Sequence, residues 1–250
     1  MDKTLIKGLT LLEALANSEE SRGVSSLARE LDLSKSNVHR ILLTLQSKDY
    51  VRRVDINSTY ELTPKIWELG AKVRGRLSLT RVSARHLTAL SGTTGESVHL
   101  SILDGGDVVY IDKIEGTHPI AAYTRVGGRA PAYCVATGKA MLAHVPDEML
   151  ESTVPQLAIF SRTTLSSYPA LRKELAQIRA QGYAINRGEW REDVFGIAAP
   201  VMDVRGKVIG AVGISGPATR YKPKQIRTYT EEVVTTARAI SRELGHNFSD

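Results

Sequence analysis

Residues 25–45 carry the pattern that most constrains the fold of this chain. The segment reads as two short helices joined by a turn of about four residues. In the second helix, apolar side chains recur at i, i+3, i+4 and i+7 and form one stripe of Val38, Ile41, Leu42 and Leu45. The opposite face carries Ser36 and Arg40, with Asn37 and His39 on its flanks and no carboxylate. Such a face suits the major groove of DNA, where Arg and Asn hydrogen-bond to base edges.

The residues around this helix favour a helix-turn-helix over an ordinary amphipathic helix. Leu27, Ala28 and Leu31 face inward in the first helix, and the small Ala28 allows a close helix crossing. Ser34 is a good N-cap for the second helix, because its hydroxyl can accept a first-turn N–H. A preceding amphipathic helix would complete a three-helix core through Leu5, Leu9, Leu12, Leu15 and Ala16.

A β-hairpin is predicted directly after the second helix. Residues 50–55 and 59–62 are β-type runs, and Ile56-Asn57-Ser58 supplies the turn between them. Residues 34–53 contain one acid, Asp49, against five basic residues, Lys35, Arg40, Lys48, Arg52 and Arg53. We therefore predict a winged helix-turn-helix domain over residues 1–63. Its expected DNA contacts are Ser34, Lys35, Ser36, Asn37, His39, Arg40, Arg52 and Arg53.

Composition sets broad limits on the 250-residue chain. The net charge of +6 favours a polyanionic partner only mildly, because residues 1–75 hold 12 Lys and Arg against 10 Asp and Glu. The single cysteine excludes a disulfide framework within the chain and fits a reducing cytosol. No leader-like segment and no apolar run of about 18 residues occurs. We expect a cytoplasmic protein with no membrane partner.

The rest of the chain predicts a linker helix over 64–78 and a second domain over 79–250. Thr63 and Pro64 begin the linker helix, whose apolar stripe is Ile66, Leu69, Val73 and Leu77. Predicted strands cover 98–103, 108–114, 119–126, 183–185, 197–204 and 208–215. Predicted helices cover 81–90, which Gly92 closes, and 137–144, 168–181 and 223–244. Hairpin-joined strands with helices at the sides predict an α+β fold with a mainly antiparallel sheet.

An ordered set of motifs adds a family resemblance to this interpretation. The set comprises residues 33–42 in the first domain and, in the second, Thr94-Gly95-Glu96-Ser97, residues 136–143, Gly182-Tyr183-Ala184, residues 197–201 and Ile214-Ser215-Gly216-Pro217. Over essentially its whole length, the chain resembles the IclR-type bacterial transcriptional regulators. The resemblance implies a winged helix-turn-helix, a linker helix used in dimerisation and a GAF-like effector domain. It further implies a homodimer or homotetramer on a pseudo-palindromic operator, with a small organic effector that changes DNA affinity.

The resemblance also places an effector site. The positions that carry over are Tyr133, Cys134, Ala136, Thr137, Glu189, Gly196, Gly213 and Ser215. Backbone N–H groups at the start of the 137–144 helix favour an anionic ligand. Arg125 and Arg129 either clamp a carboxylate or lie in solvent within a glycine-rich loop.

This chain departs from the family pattern at several of these positions. Gly188 replaces the first acid of a paired-acid motif, Gly196 stands where Cys is common, and Tyr133 replaces a usual His. Glycine at 196 and 213 enlarges the site, whereas Tyr133, Trp190 and Phe195 could make it aromatic. A small organic acid or aromatic carboxylate is therefore the expected effector.

Two alternatives belong to other functional classes. One is an enzyme with Cys134 as nucleophile and His99 or His144 as base, but no local spacing brings a His beside the Cys. No metal cluster, paired catalytic carboxylates or cofactor motif is apparent, and Gly138-Lys139 lacks the preceding frame of a phosphate loop. The other is a ligand-independent DNA-binding dimer. We predict an effector-responsive transcription factor that has no catalytic residues, metal or cofactor.

Overall fold

The computed structural model describes residues 2–54, 58–74, 79–118 and 124–248, with side chains not described for 70–74. By its internal contacts, the chain divides into two units, Met1–Arg76 and Leu77–Asp250. The helices of the first unit are α1 (Lys3–Ala16), α2 (Val24–Glu30), α3 (Lys35–Ser47) and α4 (Pro64–Arg74). Its strands are β1 (Arg22–Gly23), β2 (Val51–Val54) and β3 (Thr59–Leu62).

The helix-turn-helix forms as the sequence predicts. Ser34 caps α3, because its Oγ accepts a hydrogen bond from the Asn37 backbone N–H at 3.3 Å. The predicted stripe of α3 is buried at Val38, Ile41 and Leu42. Strands β2 and β3 pair antiparallel from Val51↔Leu62 to Val54↔Thr59, which confirms the hairpin, although its turn residues 55–57 lie outside the described chain. Strand β1, which we did not predict, pairs with β3 and gives the order β1-β3-β2.

The predicted inward face of α1 is wrong at Leu5, Leu9 and Ala16, whereas Leu15 is buried as predicted and Leu12 packs against the same core. Leu5 is 62% exposed and Leu9 is 51% exposed, whereas Leu11, Ala14 and Leu15 are buried. Both sets have helical spacing, so periodicity alone does not select the face of a helix this rich in leucine. The residues on the buried set pack with α2 and α3 in one cluster, and that packing decides which face turns inward.

The second unit builds one sheet flanked by helices. Its helices are α5 (Leu79–Thr94), α6 (Ala136–Leu142), α7 (Leu150–Thr153), α8 (Tyr168–Gln181) and α9 (Pro223–Glu243). Its strands are β4 (Ser97–Asp104), β5 (Asp107–Ile114), β6 (Arg129–Pro131), β7 (Ala184–Arg187), β8 (Val194–Met202) and β9 (Val208–Pro217). The sheet order is β6-β5-β4-β9-β8-β7, and every pair is antiparallel. The predicted α+β class with an antiparallel sheet is confirmed.

Two boundaries differ from expectation. Helix α5 continues through Gly92 and ends at Thr94, because Gly95 takes the left-handed backbone conformation (φ +70°) that stops a helix. Of the predicted strand over 119–126, residues 119–123 lie outside the described chain and 124–126 are not extended in a sheet. The strand next to β5 on the side away from β4 is β6, and its register begins with Asp107↔Pro131.

Strand alternation gives the sheet two different faces. On β9, Val212 and Ile214 pack against the apolar residues of α5 and α9. Ala211 points to the other face, where it packs in the cluster that includes residues of α6 and α8. Gly213 is on that second face too, since a Cβ there would lie 3.1 Å from the Thr137 Cγ2 of α6. This second face positions the residues of the candidate effector site.

Candidate functional site

The outer face of α3 carries polar groups with few contacts inside the domain, such as the 3.2 Å contact between the hydroxyls of Ser36 and Ser34. Lys35, Ser36, His39 and Arg40 are exposed, and Asn37 is half-buried beside them. Within the described part of the chain, the Arg40 guanidinium makes no hydrogen bond or ion pair. A free guanidinium on a rigid, capped helix can donate two parallel hydrogen bonds to a base edge.

The two arginines of the wing are in different local states. The Arg52 Nε lies 2.6 Å from Oε1 of Glu61 on the neighbouring strand. In this exposed ion pair, the carboxylate of Glu61 offsets much of the positive charge of Arg52. Among the described residues, Arg53 donates only to the neutral Ser58 Oγ, at 2.8 Å. Arg53 therefore keeps its positive charge available for a phosphate, whereas Arg52 must give up or share Glu61 to bind one.

A cavity lies against the second face of the sheet, with about 40 Å³ of space that a water-sized molecule can reach. The cavity shares lining residues with a cleft that has about 370 Å³ of such space, and the two together have room for a small organic molecule. The lining residues of the cavity come from β4, β5, β7, β8, β9, the start of α6 and the loop between β7 and β8. They are His99, Tyr110, Thr124, Val135, Ala136, Thr137, Asn186, Trp190, Arg191, Val194, Gly196, Gly213, Ile214 and Ser215.

The inner wall of the cavity is mainly apolar and carries a few uncharged polar groups. The His99 Nε2 lies 2.6 Å from Ser215 Oγ, and its Nδ1 lies 3.1 Å from Thr124 Oγ1. Burial, assisted by the positive charge of Lys113, lowers the pKa of His99 to about 3, so its imidazole is uncharged at neutral pH. Nearby, Ser101 Oγ donates to Thr137 Oγ1 at 3.3 Å. Hydroxyl and imidazole groups of this kind can both donate to and accept from a ligand.

Cationic side chains surround the mouth. The cleft shares Tyr110, Thr124, Trp190 and Arg191 with the cavity and adds Arg125, Gly128 and Arg129. The Arg191 guanidinium lies 5.0 Å from the centre of the Trp190 ring. Arg129 is held by Asp104 at 2.7 Å and Asp107 at 3.2 Å, which raises the pKa of Arg129 and offsets its charge. No Asp or Glu is among the described residues that line the cavity or the cleft.

The structure brings some of the predicted effector residues together and separates others. Ala136, Thr137, Gly196, Gly213 and Ser215 line the cavity, and Arg129 lines the outer cleft. Tyr133, Cys134 and Glu189 are buried but do not line either space.

Of the aromatic residues predicted near the site, one lines the cavity and another does not. Trp190 lines the cavity, but Phe195 lies on the other face of the sheet, where its ring stacks on Tyr221 with centroids 4.5 Å apart. Gly213 does more than enlarge the site. A Cβ at this position would meet the Ile197 carbonyl oxygen at 2.7 Å, so glycine is what lets this part of the sheet and α6 pack closely.

Our sequence reasoning did not select His99 or Asn186 as cavity residues. Both lie in segments where polar and apolar residues alternate, which is the pattern of a β-strand with two different faces. His99 and Ser101 alternate with the apolar Val98 and Leu100. Asn186 follows the buried Ile185 in the same way. The antiparallel register completes the site, because it pairs His99 with Gly213 and Asn186 with Gly196.

Cys134 lacks the features of a catalytic nucleophile. Its side chain is fully buried, and burial raises the pKa of its thiol to about 12. The reactive thiolate is therefore scarce at neutral pH. Over the described ranges, the structure contains no group of three or more His, Cys, Asp or Glu side chains placed to hold a metal ion. A membrane-crossing helix would need to be longer or more apolar than any helix among the described residues.

Comparisons with known proteins agree along the whole chain. Residues 4–55 match the IclR helix-turn-helix domain, and residues 71–242 match the domain described as bacterial transcriptional regulator IclR C-terminal. The chain is 34% identical to the HTH-type transcriptional regulator XynR of Escherichia coli K12 over 96% of each protein. It is 35% identical to the DNA-binding transcriptional repressor YiaJ of the same strain, over 99% of this chain and 90% of that protein.

Solved structures support the same assignment. The repressor BlcR of Agrobacterium tumefaciens superposes with a TM-score of 0.82 at 28% identity, and 98% of each chain is covered. The C-terminal domain of E. coli KdgR matches at 32% identity with a TM-score of 0.62, over 68% of this chain and all of that domain. These relatives are transcriptional regulators and not enzymes. The chain therefore belongs to the IclR family of bacterial transcriptional regulators, with an N-terminal DNA-binding helix-turn-helix and a C-terminal effector domain.

Proposed function

We propose that this regulator binds a pseudo-palindromic operator as a homodimer or homotetramer and responds to a small organic acid or aromatic carboxylate. One observation carries the effector class: the cavity and its outer cleft have neutral polar groups on a mainly apolar inner wall, arginines at the mouth and no carboxylate among their described lining residues. An acidic ligand meets no repulsion from such a wall, and its carboxylate can pair with a guanidinium.

On DNA, we propose that α3 lies in the major groove. Ser36, Asn37 and Arg40 then contact bases, while Ser34, Lys35 and His39 contact the flanking backbone. The wing contributes phosphate contacts through Arg53 and, once Glu61 is displaced, Arg52. The exposure of this face and the unpaired state of Arg40 support the arrangement.

Replacing Arg40 with alanine is expected to weaken specific operator binding by about 1–3 kcal/mol, because a bidentate contact to a base edge is lost. Gel shifts with the DNA upstream of the gene, at fixed salt, measure this loss. Lys173→Ala removes the same charge from an exposed position of α8 and is the control. If Arg40→Ala and the wild type bind the operator with equal affinity, the proposal that α3 contacts the bases is wrong.

In the cavity, we propose that an aromatic or aliphatic part of the effector rests between Trp190 and the glycine positions 196 and 213. Its polar atoms reach Thr137, His99 and Ser215, and its carboxylate lies toward Arg191 and Arg125, with Arg129 at the rim. Ala136 forms the floor beside Thr137. Tyr133, Cys134 and Glu189 shape the wall from behind, since all three are buried outside the lining.

Replacing Ser215 with alanine is expected to weaken effector binding by about 0.5–1.5 kcal/mol, because one hydroxyl partner of His99 and of the ligand is lost. Operator binding without effector should not change. Isothermal titration with the effector measures the first quantity, and gel shifts measure the second. Ser152→Ala, on the exposed face of α7, is the matched control. Wild-type effector affinity in Ser215→Ala would place the ligand elsewhere.

The experiment that tests the proposal as a whole is a thermal-shift screen of small carboxylates and phenolics, followed by gel shifts with each hit. The expected result is a carboxylate that raises the melting temperature and changes operator affinity. If operator binding is specific but no compound alters it, the chain is a ligand-independent DNA-binding protein and the effector proposal fails.

A further inference from the structure

A fully buried lysine lies behind the wall of the cavity. Lys139 has no exposed surface, and its Nζ lies 2.8 Å from Glu189 Oε1 and 3.0 Å from Glu174 Oε1. It stands two residues after Thr137, which lines the cavity, on the same helix. Burying an ammonium group is costly unless it is paired, so Lys139 depends on a carboxylate partner, and the more buried of its two partners is Glu189.

Glu189 belongs to the loop that forms the opposite wall. The residues immediately after it, Trp190 and Arg191, line the cavity and its mouth. Asn186, at the start of the loop, closes a turn by accepting hydrogen bonds from the backbone N–H groups of Gly188 and Glu189 at 3.1 and 3.0 Å. The loop is therefore rigid at its base, and the carboxylate of Glu189 is its link to α6.

A second link holds the same loop to the segment before α8. The Glu189 carbonyl oxygen accepts hydrogen bonds from Thr164 Oγ1 at 2.6 Å and Ser161 Oγ at 3.2 Å. These bonds hold the loop to the segment before α8 but not to α6. The Lys139 contact supplies the link between the Glu189 side chain and α6.

Only one of the two carboxylate oxygens of Glu189 has a hydrogen-bond partner among the described residues. Its Oε1 meets Lys139, whereas its Oε2 is buried with no hydrogen-bond partner among the described residues. Apolar side chains of similar volume often replace a buried ion pair without loss of stability, so a half-satisfied pair contributes little net stability. Its clearer effect is on geometry, because the 2.8 Å contact ties the loop to α6.

We propose that the Lys139–Glu189 ion pair is a positioning contact that sets the distance between α6 and the Trp190 loop, and with it the width of the effector cavity. Glu174 shares Lys139 but lies on α8, away from the cavity lining, and completes the charge balance without positioning the loop. The importance of this width for effector choice rests on the proposed function, whereas the positioning itself does not.

Tryptophan fluorescence gives a readout that needs no effector. The chain has two tryptophans, and Trp67 is 76% exposed in the other unit, so Trp67→Phe leaves Trp190 as the single reporter. In this background, Glu189→Ala is expected to shift the Trp190 emission to longer wavelength and raise its quenching by acrylamide, because the loop is released. Glu174→Ala removes the other partner of the same lysine and should leave both signals unchanged at a comparable melting temperature.

A second variant guards against a general loss of folding. Lys139→Met combined with Glu189→Leu replaces the pair by apolar side chains of similar size and should restore the melting temperature. The Trp190 quenching should stay high in this variant, because an apolar contact does not fix the loop at hydrogen-bonding distance. Wild-type quenching in the stable double variant, or equal quenching in Glu189→Ala and Glu174→Ala, would overturn the proposal. Failure of every effector in the screen would overturn the proposed function and leave this result intact.

Discussion

Replacing Gly138 with alanine is expected to destabilise the C-terminal unit by about 3 kcal/mol or more. Gly138 lies in α6, and a Cβ at this position would stand within 2.6 Å of three backbone atoms of Ala132. Real Cβ atoms do not approach backbone this closely, and a carbonyl group cannot rotate away as a side-chain tip can. The turn that contains Ala132 must move off the helix, which opens the buried cluster around Tyr133 and Cys134.

The same substitution at another glycine of this unit is expected to increase the free energy of unfolding. Gly92 is exposed in the last turn of α5, has no positive φ, and its added Cβ would meet nothing within 4 Å. Gly92→Ala should therefore stabilise the same unit by about 0.5–1 kcal/mol, because alanine lowers the entropy of the unfolded chain. Urea unfolding of the full chain, followed through Trp190 in the Trp67→Phe background, measures both. If Gly138→Ala unfolds at the wild-type midpoint, α6 and the Ala132 turn are not in close contact.

The DNA-binding unit could be predicted in detail because its signals are local. The α3 stripe, the Ser34 cap and the β2–β3 hairpin each depend on residues that are close in sequence. The face of α1 could be predicted only in part, because its leucines offer two helical stripes that share Leu15 and only packing selects Leu11 and Ala14 over Leu5 and Leu9. When two faces of a helix are equally apolar, the local sequence pattern does not show which face is buried.

The cavity was predictable only in part, for a different reason. The resemblance supplied Thr137, Gly213 and Ser215, but the partner of Ser215 is His99, which is 116 residues away in sequence. Such a contact depends on the register between β4 and β9, which no local pattern encodes. The burial of Lys139 was equally hidden, because its two carboxylate partners come from α8 and from a loop.

Replacing Lys139 with methionine is expected to destabilise the C-terminal unit by about 3–5 kcal/mol, since it leaves Glu189 buried without its cation. The loss should depend on pH. Burial raises the pKa of the Glu189 carboxyl, and Lys139 opposes that shift, so removing the lysine raises the pKa further. The folded variant then binds more protons than the unfolded chain above the ordinary carboxyl pKa, and its stability falls as pH rises through that window.

Urea unfolding of Lys139→Met at about pH 5 and at about pH 8 tests this sign, because protonated Glu189 no longer needs a cation. The destabilisation relative to wild type should be smaller at the lower pH. The double variant Lys139→Met with Glu189→Leu should recover most of the loss and respond little to pH, since the half-exposed Glu174 can turn its carboxylate to solvent. A destabilisation that is equal at both pH values, or that persists in the double variant, would mean that Lys139 acts through its packing volume and not through its charge.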